Sequence, residues 1–343
     1  MPRPDIATTP LLSVKGLRTW FHTFGGIVKA VDGVSFDVAP GEIMGLVGES
    51  GGGKSMIGFS IMGLIDPPGR IEAGSIEFEG RDLATLGEDE MRSIRGKEIA
   101  MIFQDPMTAL NPLYTIGNQI EETLALHTML SARERRMKAI EMLHKVGIPQ
   151  PEQRLHHYPH QFSGGMRQRV VIAIAMIAQP RLLIADEPTT ALDVTIQAQL
   201  LRLMRQQVVE SGTSLVLITH DLAAVSQMAD TIVVLYCGRI VERGPAEEII
   251  ARPRHPYTRG LIDSIPHESD VDGAKRRLSQ IPGNVPDIRR LPPGCAFAPR
   301  CPRASELCRT QDPVLSEREC VGDGSGPPRL HAIACHHPLT VSP

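Results

Sequence analysis

Continuous apolar runs of four to six residues recur along the first two thirds of the chain. Such runs predict strands of an open sheet, and there are four of them: Ile43–Val47, residues 182–185, Ser214–Thr219 and Thr231–Tyr236. Between residues 104 and 160 the apolar spacing becomes helical instead. One predicted helix face carries Ile120, Thr123, Leu124 and His127, and a second carries Met137, Ile140, Met142 and Leu143.

A glycine-rich loop follows the first apolar run. It reads GESGGGKS from Gly48 to Ser55, and a helix is predicted to begin at Lys54. Successive backbone amides in such a loop and the N-terminus of the helix bind phosphate. Lys54 is predicted to contact the β- and γ-phosphates of ATP, and Ser55 to bind Mg²⁺. The predicted ATP-binding residues of this segment are Gly48, Glu49, Ser50, Gly51, Gly52, Gly53, Lys54, Ser55 and Met56.

Two adjacent acids follow the strand predicted at residues 182–185. Asp186 and Glu187 therefore lie at the carboxyl end of a strand, where an open parallel sheet places its ligand crevice. Together with the phosphate loop, this position predicts that Asp186 holds Mg²⁺ and that Glu187 polarises the attacking water.

The stretch FSGGMRQR precedes an apolar, alanine-rich segment at residues 170–178. Ser163, Gly164 and Gly165 are therefore predicted to form a nest of backbone amides at a helix start, which is a second anion-binding geometry. Alternatively, Ser163 is an ordinary helix cap.

In the chain order phosphate loop, FSGGMRQR and acidic pair, the three stretches resemble the nucleotide-binding subunit of ABC transporters. Gln104, in MIFQDP, resembles the glutamine of the family's Q-loop, which touches Mg²⁺ and couples to the membrane partner. Residues 191–193 resemble the D-loop, which ends at Asp193, and His220, in LVLITHD, resembles the switch histidine. The resemblance implies catalysis by Glu187 and His220. It implies Mg²⁺ binding by Ser55, Gln104 and Asp186.

The fold implied is α/β: a P-loop cassette whose RecA-like core carries an antiparallel β-subdomain and a helical subdomain. An aromatic residue upstream of the phosphate loop is expected to stack on adenine. Phe24 is the choice, with Phe21 and Trp20 as rivals. Met166 departs from the family pattern, because a glutamine is usual there and methionine offers no amide.

The predicted organisation is a tail at residues 1–11, a cassette at 12–244 with its helical subdomain at about 104–162, and an extension at 245–343. The extension is rich in proline and holds four of the six cysteines. Its RHPYTRGLI stretch resembles the extension of the oligopeptide, dipeptide and nickel importers. Within that branch, MRQR resembles the first of two paired ATPase subunits.

Cys295, Cys301, Cys308 and Cys335 are predicted to form a metal site, since a metal cross-link would replace apolar burial in this proline-rich extension. Four thiolates fit a 4Fe–4S cluster or a structural zinc ion. The stretches GCAFAPRCP and ACHHP resemble importers that carry the cluster; zinc and free thiols are the alternatives. Cys237 and Cys320 are expected to be bystanders, and His336 could replace one ligand.

Composition limits the possible partners. The chain has 343 residues, is 42% hydrophobic and carries a formal charge of −3, which gives no basic footprint for nucleic acid. The longest apolar run, residues 170–178, is far shorter than the ~20 residues of a membrane helix. The N-terminus lacks the apolar core of a secretory signal, so a cytoplasmic chain is expected.

The resemblance implies a mechanism shared between two cassettes. A second, non-identical ATPase subunit, of the kind that MRQR implies, would hold the nucleotide on which this set acts: Ser163, Gly164, Gly165, Met166 and Asp193. Two permease subunits and an extracytoplasmic binding protein complete the expected importer at the cytoplasmic face of the inner membrane. Peptides are the expected substrate, with nickel or oligosaccharides as alternatives. A soluble ABC ATPase acting on DNA or ribosomes is disfavoured because no coiled-coil insertion or second cassette is visible.

Overall fold

The structure is a computed structural model that describes residues 9–190, 192–265, 280–319 and 330–340. In chain order its strands are β1 (Leu12–Thr23), β2 (Gly26–Val38), β3 (Ile43–Val47), β4 (Gly69–Phe78), β5 (Arg81–Asp82), β6 (Ile99–Ile102), β7 (Leu182–Asp186), β8 (Ser214–Thr219), β9 (Thr231–Tyr236), β10 (Arg239–Pro245), β11 (Ser316–Glu319) and β12 (Leu330–Ile333). Its helices are α1 (Lys54–Ile61), α2 (Glu88–Ile94), α3 (Pro106–Ala109), α4 (Ile116–His127), α5 (Ala132–Lys145), α6 (Pro151–Arg154), α7 (Gly164–Met176), α8 (Val194–Ser211), α9 (Leu222–Ser226), α10 (Ala246–Ala251), α11 (Pro256–Asp263) and α12 (Glu306–Thr310).

The described residues fall into two compact units. The first unit contains the residues up to Ala39, Met44–Ala84 and the residues from Thr219 onward. The second unit contains Pro40–Ile43 and Thr85–Ile218. The predicted phosphate loop belongs to the first unit and the predicted acidic pair to the second.

One sheet of the first unit is antiparallel, with the strand order β2-β1-β4-β5. Val14 on β1 lies opposite Phe36 on β2 and opposite Ile76 on β4, and all three side chains are buried. In an antiparallel sheet with one face in solvent, alternating apolar residues bury the other face. The antiparallel β-subdomain expected in the N-terminal part is therefore present.

The other sheet of the first unit runs in the order β11-β12-β10-β9-β3. β3 is parallel to β9, whereas β10 pairs antiparallel with both β9 and β12. All five residues of β3 are buried, which explains its continuous apolar sequence. A Cβ on Gly45 would lie 2.2 Å from Cγ1 of Val225, so glycine allows α9 to pack directly on β3. The predicted boundary near residue 244 falls within β10, and the C-terminal strands β12 and β11 continue the same sheet.

The second unit contains three parallel strands in the order β8-β7-β6 and most of the helices. The helical segment expected at residues 104–160 contains α3 to α6. In α4 the predicted face is confirmed by the burial of Ile120 and Leu124. In α5 the inclusion of Met137 was wrong, because its side chain is 61% exposed. The buried stripe is Ala139, Met142 and Leu143, and Met137 lies about 200° around the helix from Ala139.

The strand predictions hold closely. β3, β8 and β9 have the predicted bounds, and β7 extends one residue beyond its predicted end, to Asp186. Helix α1 begins at Lys54, as predicted. The α/β class is confirmed.

Candidate functional site

The phosphate loop, residues Gly48 to Ser55, connects β3 to α1. Its backbone passes so close to neighbouring chain segments that side chains would collide. A Cβ on Gly48 would lie 2.3 Å from the carbonyl oxygen of Leu235, and a Cβ on Gly53 would lie 2.0 Å from that of Ala30. Gly53 also has a φ of 89°, in the left-handed region that glycine tolerates. These two glycines are therefore required by the path of the loop.

Lys54 is held inside the curve of this loop. Its side chain is buried, and Nζ donates hydrogen bonds to the backbone oxygens of Gly48 at 2.9 Å and Glu49 at 3.0 Å. An ammonium group in this position places positive charge where a curled backbone and a helix N-terminus already favour an anion. Ser55, also predicted to contact the ligand, follows directly as the second residue of α1.

The two predicted acids lie at the carboxyl end of β7, in the second unit. Asp186 is its last residue and is buried, and Glu187 follows with a φ of 44°. A left-handed backbone at a non-glycine residue is uncommon and is concentrated at functional turns. The backbone N–H of Glu187 donates to the oxygen of Ile218 on β8 at 2.8 Å, which helps to hold this turn.

Gln104, predicted from a distant part of the sequence, lies at the same place. Its Nε2 donates to Oε2 of Glu187 at 3.1 Å, and the hydroxyl of Thr190 donates to the same oxygen at 3.0 Å. The second unit thus brings together two of the residues expected to act on ATP. Thr190 was not predicted, although it lies three residues after Glu187.

His220 is in the first unit, directly after β8, and its side chain is exposed. The next residue, Asp221, caps α9 by accepting a hydrogen bond from the N–H of Ala224 at 3.0 Å. The backbone of the histidine therefore lies between the end of a strand and a capped helix start. Its contact with a γ-phosphate stays a prediction.

Ser163 is the N-cap residue of α7, and its Oγ accepts a hydrogen bond from the N–H of Met166 at 3.4 Å. The helix-cap alternative is thus confirmed, and Ser163 and Gly164 are also exposed. A Cβ on Gly165 would lie 3.0 Å from Cγ2 of Ile196, so α7 starts close against α8. Asp193, exposed at the start of α8, completes the predicted set, whereas Ala191 of the predicted D-loop lies outside the described residues.

The three aromatic candidates for adenine stacking have different environments. Phe24 is fully exposed at the turn between β1 and β2. The ring of Trp20 lies under Lys29, whose Nζ is 4.6 Å from its centroid. Phe21 covers Gly69, where an added Cβ would lie 2.5 Å from the ring. Phe24 is the candidate whose ring is open to a ligand, and its role stays a prediction.

The four predicted cysteine ligands line one small cavity in the first unit. This cysteine-lined cavity is bordered by Cys295, Cys301, Cys308 and Cys335, by His255, His336 and His337, and by Pro256, Phe297, Ala298 and Arg303. Burial raises the pKa of the Cys335 thiol to about 11 and also raises the pKa values of Cys295 and Cys301. The described cysteines form no disulfides.

The cavity does not, however, form a finished metal centre. Within the described ranges, no group of three or more His, Cys, Asp or Glu side chains is arranged to hold a metal ion. The four cysteines thus border the same cavity, and their role as ligands of a metal stays a prediction. His336 is held by the backbone oxygen of Gln311, 2.9 Å from its Nε2. Cys237 lies in the turn between β9 and β10 and is not one of the residues that line the cavity, and Cys320 is outside the described residues.

Two residues that contact the phosphate loop were not identified from the sequence. Arg300 and Tyr257 both bind Glu49, and they lie 251 and 208 residues from it along the chain. Both belong to stretches that were noted only for their resemblance to importer extensions. A local sequence pattern carries no signal for contacts of this separation.

No helix in the described part of the chain combines the length and the apolar character that a membrane span requires.

Comparison with known proteins identifies the family. Residues 31–190 match the family described as ABC transporter, and residues 241–308 match the one described as oligopeptide/dipeptide transporter, C-terminal region. The oligopeptide transport ATP-binding protein AppD of Bacillus subtilis is 51% identical over 306 residues, which cover 89% of this chain and 92% of AppD.

Solved structures of ABC cassettes have a similar fold. The ATP-binding cassette MJ0796, in a dimeric post-hydrolysis state bound to ADP and Pi, has a TM-score of 0.62 and 28% identity, covering 68% of this chain and 98% of that one. CbiO1 of Clostridium perfringens, part of the ABC transporter complex cbiONQ, has a TM-score of 0.61 and 25% identity, covering 71% of this chain and 92% of that one. The predicted cassette fold is thereby confirmed. The chain belongs to the ABC transporter family, among its ATP-binding proteins of the oligopeptide/dipeptide type.

Proposed function

We propose that the chain hydrolyses ATP to power the import of di- or oligopeptides across the cytoplasmic membrane. The observation that carries this proposal is the 51% identity to AppD over 89% of the chain. That coverage is too broad for a resemblance limited to the ATP motifs, since the family match at residues 241–308 lies beyond them.

The chemistry follows from the residues of the two units. The loop amides, Lys54 and the N-terminus of α1 would bind the phosphates, and Ser55, Asp186 and Gln104 would bind Mg²⁺, which neutralises charge on the transferring phosphoryl group. Glu187 would orient the attacking water and accept its proton, assisted by His220. Because the loop is preformed, little reorganisation is needed when negative charge develops.

The chain would work as one of two paired cassettes. The exposed start of α7 at Ser163 offers backbone donors to a nucleotide bound elsewhere, as a clamp on a partner's phosphate loop would require. The dimeric cassette MJ0796 supports such pairing. The proposed assembly has a second, non-identical ATPase, two permease subunits and an extracytoplasmic binding protein. The chain would then lie peripherally on the cytoplasmic face of the membrane.

The cysteine-lined cavity would hold a 4Fe–4S cluster, with zinc as the alternative. Its donor chemistry fits either group, because Cys295, Cys301, Cys308 and Cys335 all line one cavity. Such a group would cross-link a proline-rich segment that has little apolar material of its own.

Uptake by cells that lack this chain but retain its transport partners tests the function. Wild-type chain should restore accumulation of labelled di-, tri- and pentapeptides. Lys54→Ala should not restore it, whereas the control Lys15→Ala should, because Lys15 is an exposed lysine on β1 paired with Glu77. Restored uptake of nickel or an oligosaccharide, without peptide uptake, would contradict the peptide assignment.

A further inference from the structure

Glu49, the second residue of the phosphate loop, is held by two side chains from the C-terminal part of the first unit. Arg300 donates from Nη1 to Oε2 of Glu49 at 2.6 Å and from Nη2 to Oε1 at 3.0 Å. The backbone N–H of Glu49 donates to the hydroxyl of Tyr257 at 2.8 Å. A guanidinium that binds both oxygens of one carboxylate fixes its orientation as well as its distance. The loop is therefore held at Glu49 through both side chain and backbone.

The guanidinium of Arg300 is itself fixed and shielded from water. The side chain of Arg300 is 4% exposed, and that of Glu49 is 28% exposed. Nε of Arg300 donates to the backbone oxygen of Pro282 at 3.0 Å. The Cζ atom of Arg300 lies 5.9 Å from the ring centroid of Tyr236 and 6.0 Å from that of Phe297. Removing one member of a shielded charge pair leaves the other charge uncompensated.

An uncompensated carboxylate at Glu49 would oppose the binding of an anion. Repulsion between like charges is strong where water screens them poorly, and the carboxylate belongs to the loop that receives the phosphates. The backbone oxygen of Glu49 also accepts a hydrogen bond from Lys54 Nζ at 3.0 Å. The position of Glu49 therefore helps to set the position of the ammonium group as well.

Both side chains that hold Glu49 are attached to the wall of the cysteine-lined cavity. Arg300 directly precedes Cys301, and Tyr257 directly follows Pro256, which lines the cavity. The ring of Phe297, another wall residue, lies 5.4 Å from the ring of Tyr257, centroid to centroid. A displacement of this wall would reach Glu49 through covalent neighbours and packed rings.

We propose that Arg300 is a positioning residue for the phosphate loop, which it neutralises and orients at Glu49, and that it couples the cysteine-lined cavity to nucleotide affinity. This inference rests on the proposed role of the loop in binding ATP. The proposal gives the extension at residues 245–343 an effect on the nucleotide site. This effect does not depend on which group the cysteines bind.

The test is equilibrium binding of the non-hydrolysable analogue AMP-PNP, with Mg²⁺, to the full chain. Arg300→Met should weaken binding at least about fivefold, the lower end of typical coupling between sites. Adding Glu49→Gln to Arg300→Met should recover part of the affinity, because the unpaired carboxylate is then gone. A purely structural role for Arg300 predicts no recovery, so a double variant as weak as Arg300→Met would overturn the proposal.

Controls separate this inference from the proposed function. Arg309→Met removes an exposed arginine of the same segment, 3.8 Å from Glu306, and should bind as wild type. If Lys54→Ala abolishes binding while Arg300→Met binds like wild type, the inference alone is overturned. If Lys54→Ala binds like wild type, the loop is not the nucleotide site and the proposed function loses its basis.

Arg300→Lys supplies the test should Arg300→Met fail to fold. Lysine keeps the positive charge but lacks the planar fork that binds both carboxylate oxygens. We expect the affinity of Arg300→Lys for AMP-PNP to fall about threefold, to a value between those of wild type and Arg300→Met. This loss is smaller than the about 5- to 150-fold of a typical coupling between sites, because lysine keeps part of the interaction. Wild-type affinity in Arg300→Lys would overturn the positioning role.

Discussion

Gln104 and Glu187, which are 83 residues apart in the sequence, are joined by a hydrogen bond of 3.1 Å from Nε2 to Oε2. The amide thus occupies one oxygen of the carboxylate expected to orient water. Thr190 donates to that same oxygen at 3.0 Å, so two donors converge on Oε2 of Glu187. A change in the segment that carries Gln104 therefore alters the surroundings of Glu187 directly.

Replacing Glu187 should separate nucleotide binding from turnover. Glu187→Gln keeps the shape of the side chain but removes its basicity, so ATP should still bind while hydrolysis by the assembled transporter falls at least about 100-fold. Phosphate release and nucleotide binding would be measured on the same preparation. Glu210→Gln, an exposed change on α8, is the matched control. Near wild-type turnover in Glu187→Gln would reject Glu187 as the base.

Two glycines of the phosphate loop should respond differently to alanine. Gly51 and Gly53 have φ values of 77° and 89°, so both substitutions incur the left-handed strain of about 1–2 kcal/mol. A Cβ on Gly51 would have no neighbour within 4 Å, whereas one on Gly53 would lie 2.0 Å from the oxygen of Ala30. Gly53→Ala should therefore destabilise the chain more and lose nucleotide binding. Equal melting temperatures and affinities for the two variants would contradict this account of the loop.

The chain alone should be a poor ATPase. Ser163 starts a helix whose donors are proposed to act on a partner's nucleotide, so a single chain lacks half of each site. We expect its turnover to be less than about a tenth of that of the assembled transporter, because a missing electrostatic clamp typically costs about 100-fold or more. Native mass spectrometry of the assembly should find one copy of this chain beside a different ATP-binding subunit. Full activity from monomer would refute the shared site, and two copies of this chain would refute only the unlike pair.

Anaerobically purified protein should be brown if the cavity holds a 4Fe–4S cluster. We expect absorbance near ~400 nm and about four irons per chain. Cys301→Ser should lose the colour and the iron, whereas Cys237→Ser, which alters a cysteine outside the cavity lining, should keep both. Colourless protein with one zinc per chain would favour the zinc alternative. Metal-free protein that remains folded throughout the C-terminal segment would contradict any metal site.

The central strands could be predicted from sequence because they are buried on both faces. Ser214–Thr219 and Thr231–Tyr236 are buried along almost their whole length, so their apolar runs mark their ends directly. Met137 was misplaced because an apolar residue alone does not specify which face of a helix it occupies. The phosphate loop around Lys54 could be predicted from the sequence because its chemistry depends on consecutive residues.

Contacts between distant segments could not be predicted in this way. The local pattern gives no register between Glu242 on β10 and Ile333 on β12, which pair across 91 residues. The contact of Arg300 with Glu49 could not be predicted either, because the two residues are 251 positions apart. The sequence around Arg300 draws attention to its neighbouring cysteines instead. Such pairs arise from the topology of the sheet, and a single sequence does not encode it locally.

The pairing of β12 with β10 has a consequence for attempts to shorten the chain. Glu242 is fully buried on β10, and its carboxylate accepts hydrogen bonds from the N–H groups of Arg254 and His255 and contacts Nε2 of His331 at 2.7 Å. A chain cut after residue 244 would lose all of these partners. It would also leave the outer side of β10 as an unpaired edge, which is a template for aggregation. Removing the C-terminal segment would thus yield insoluble protein instead of a minimal ATPase.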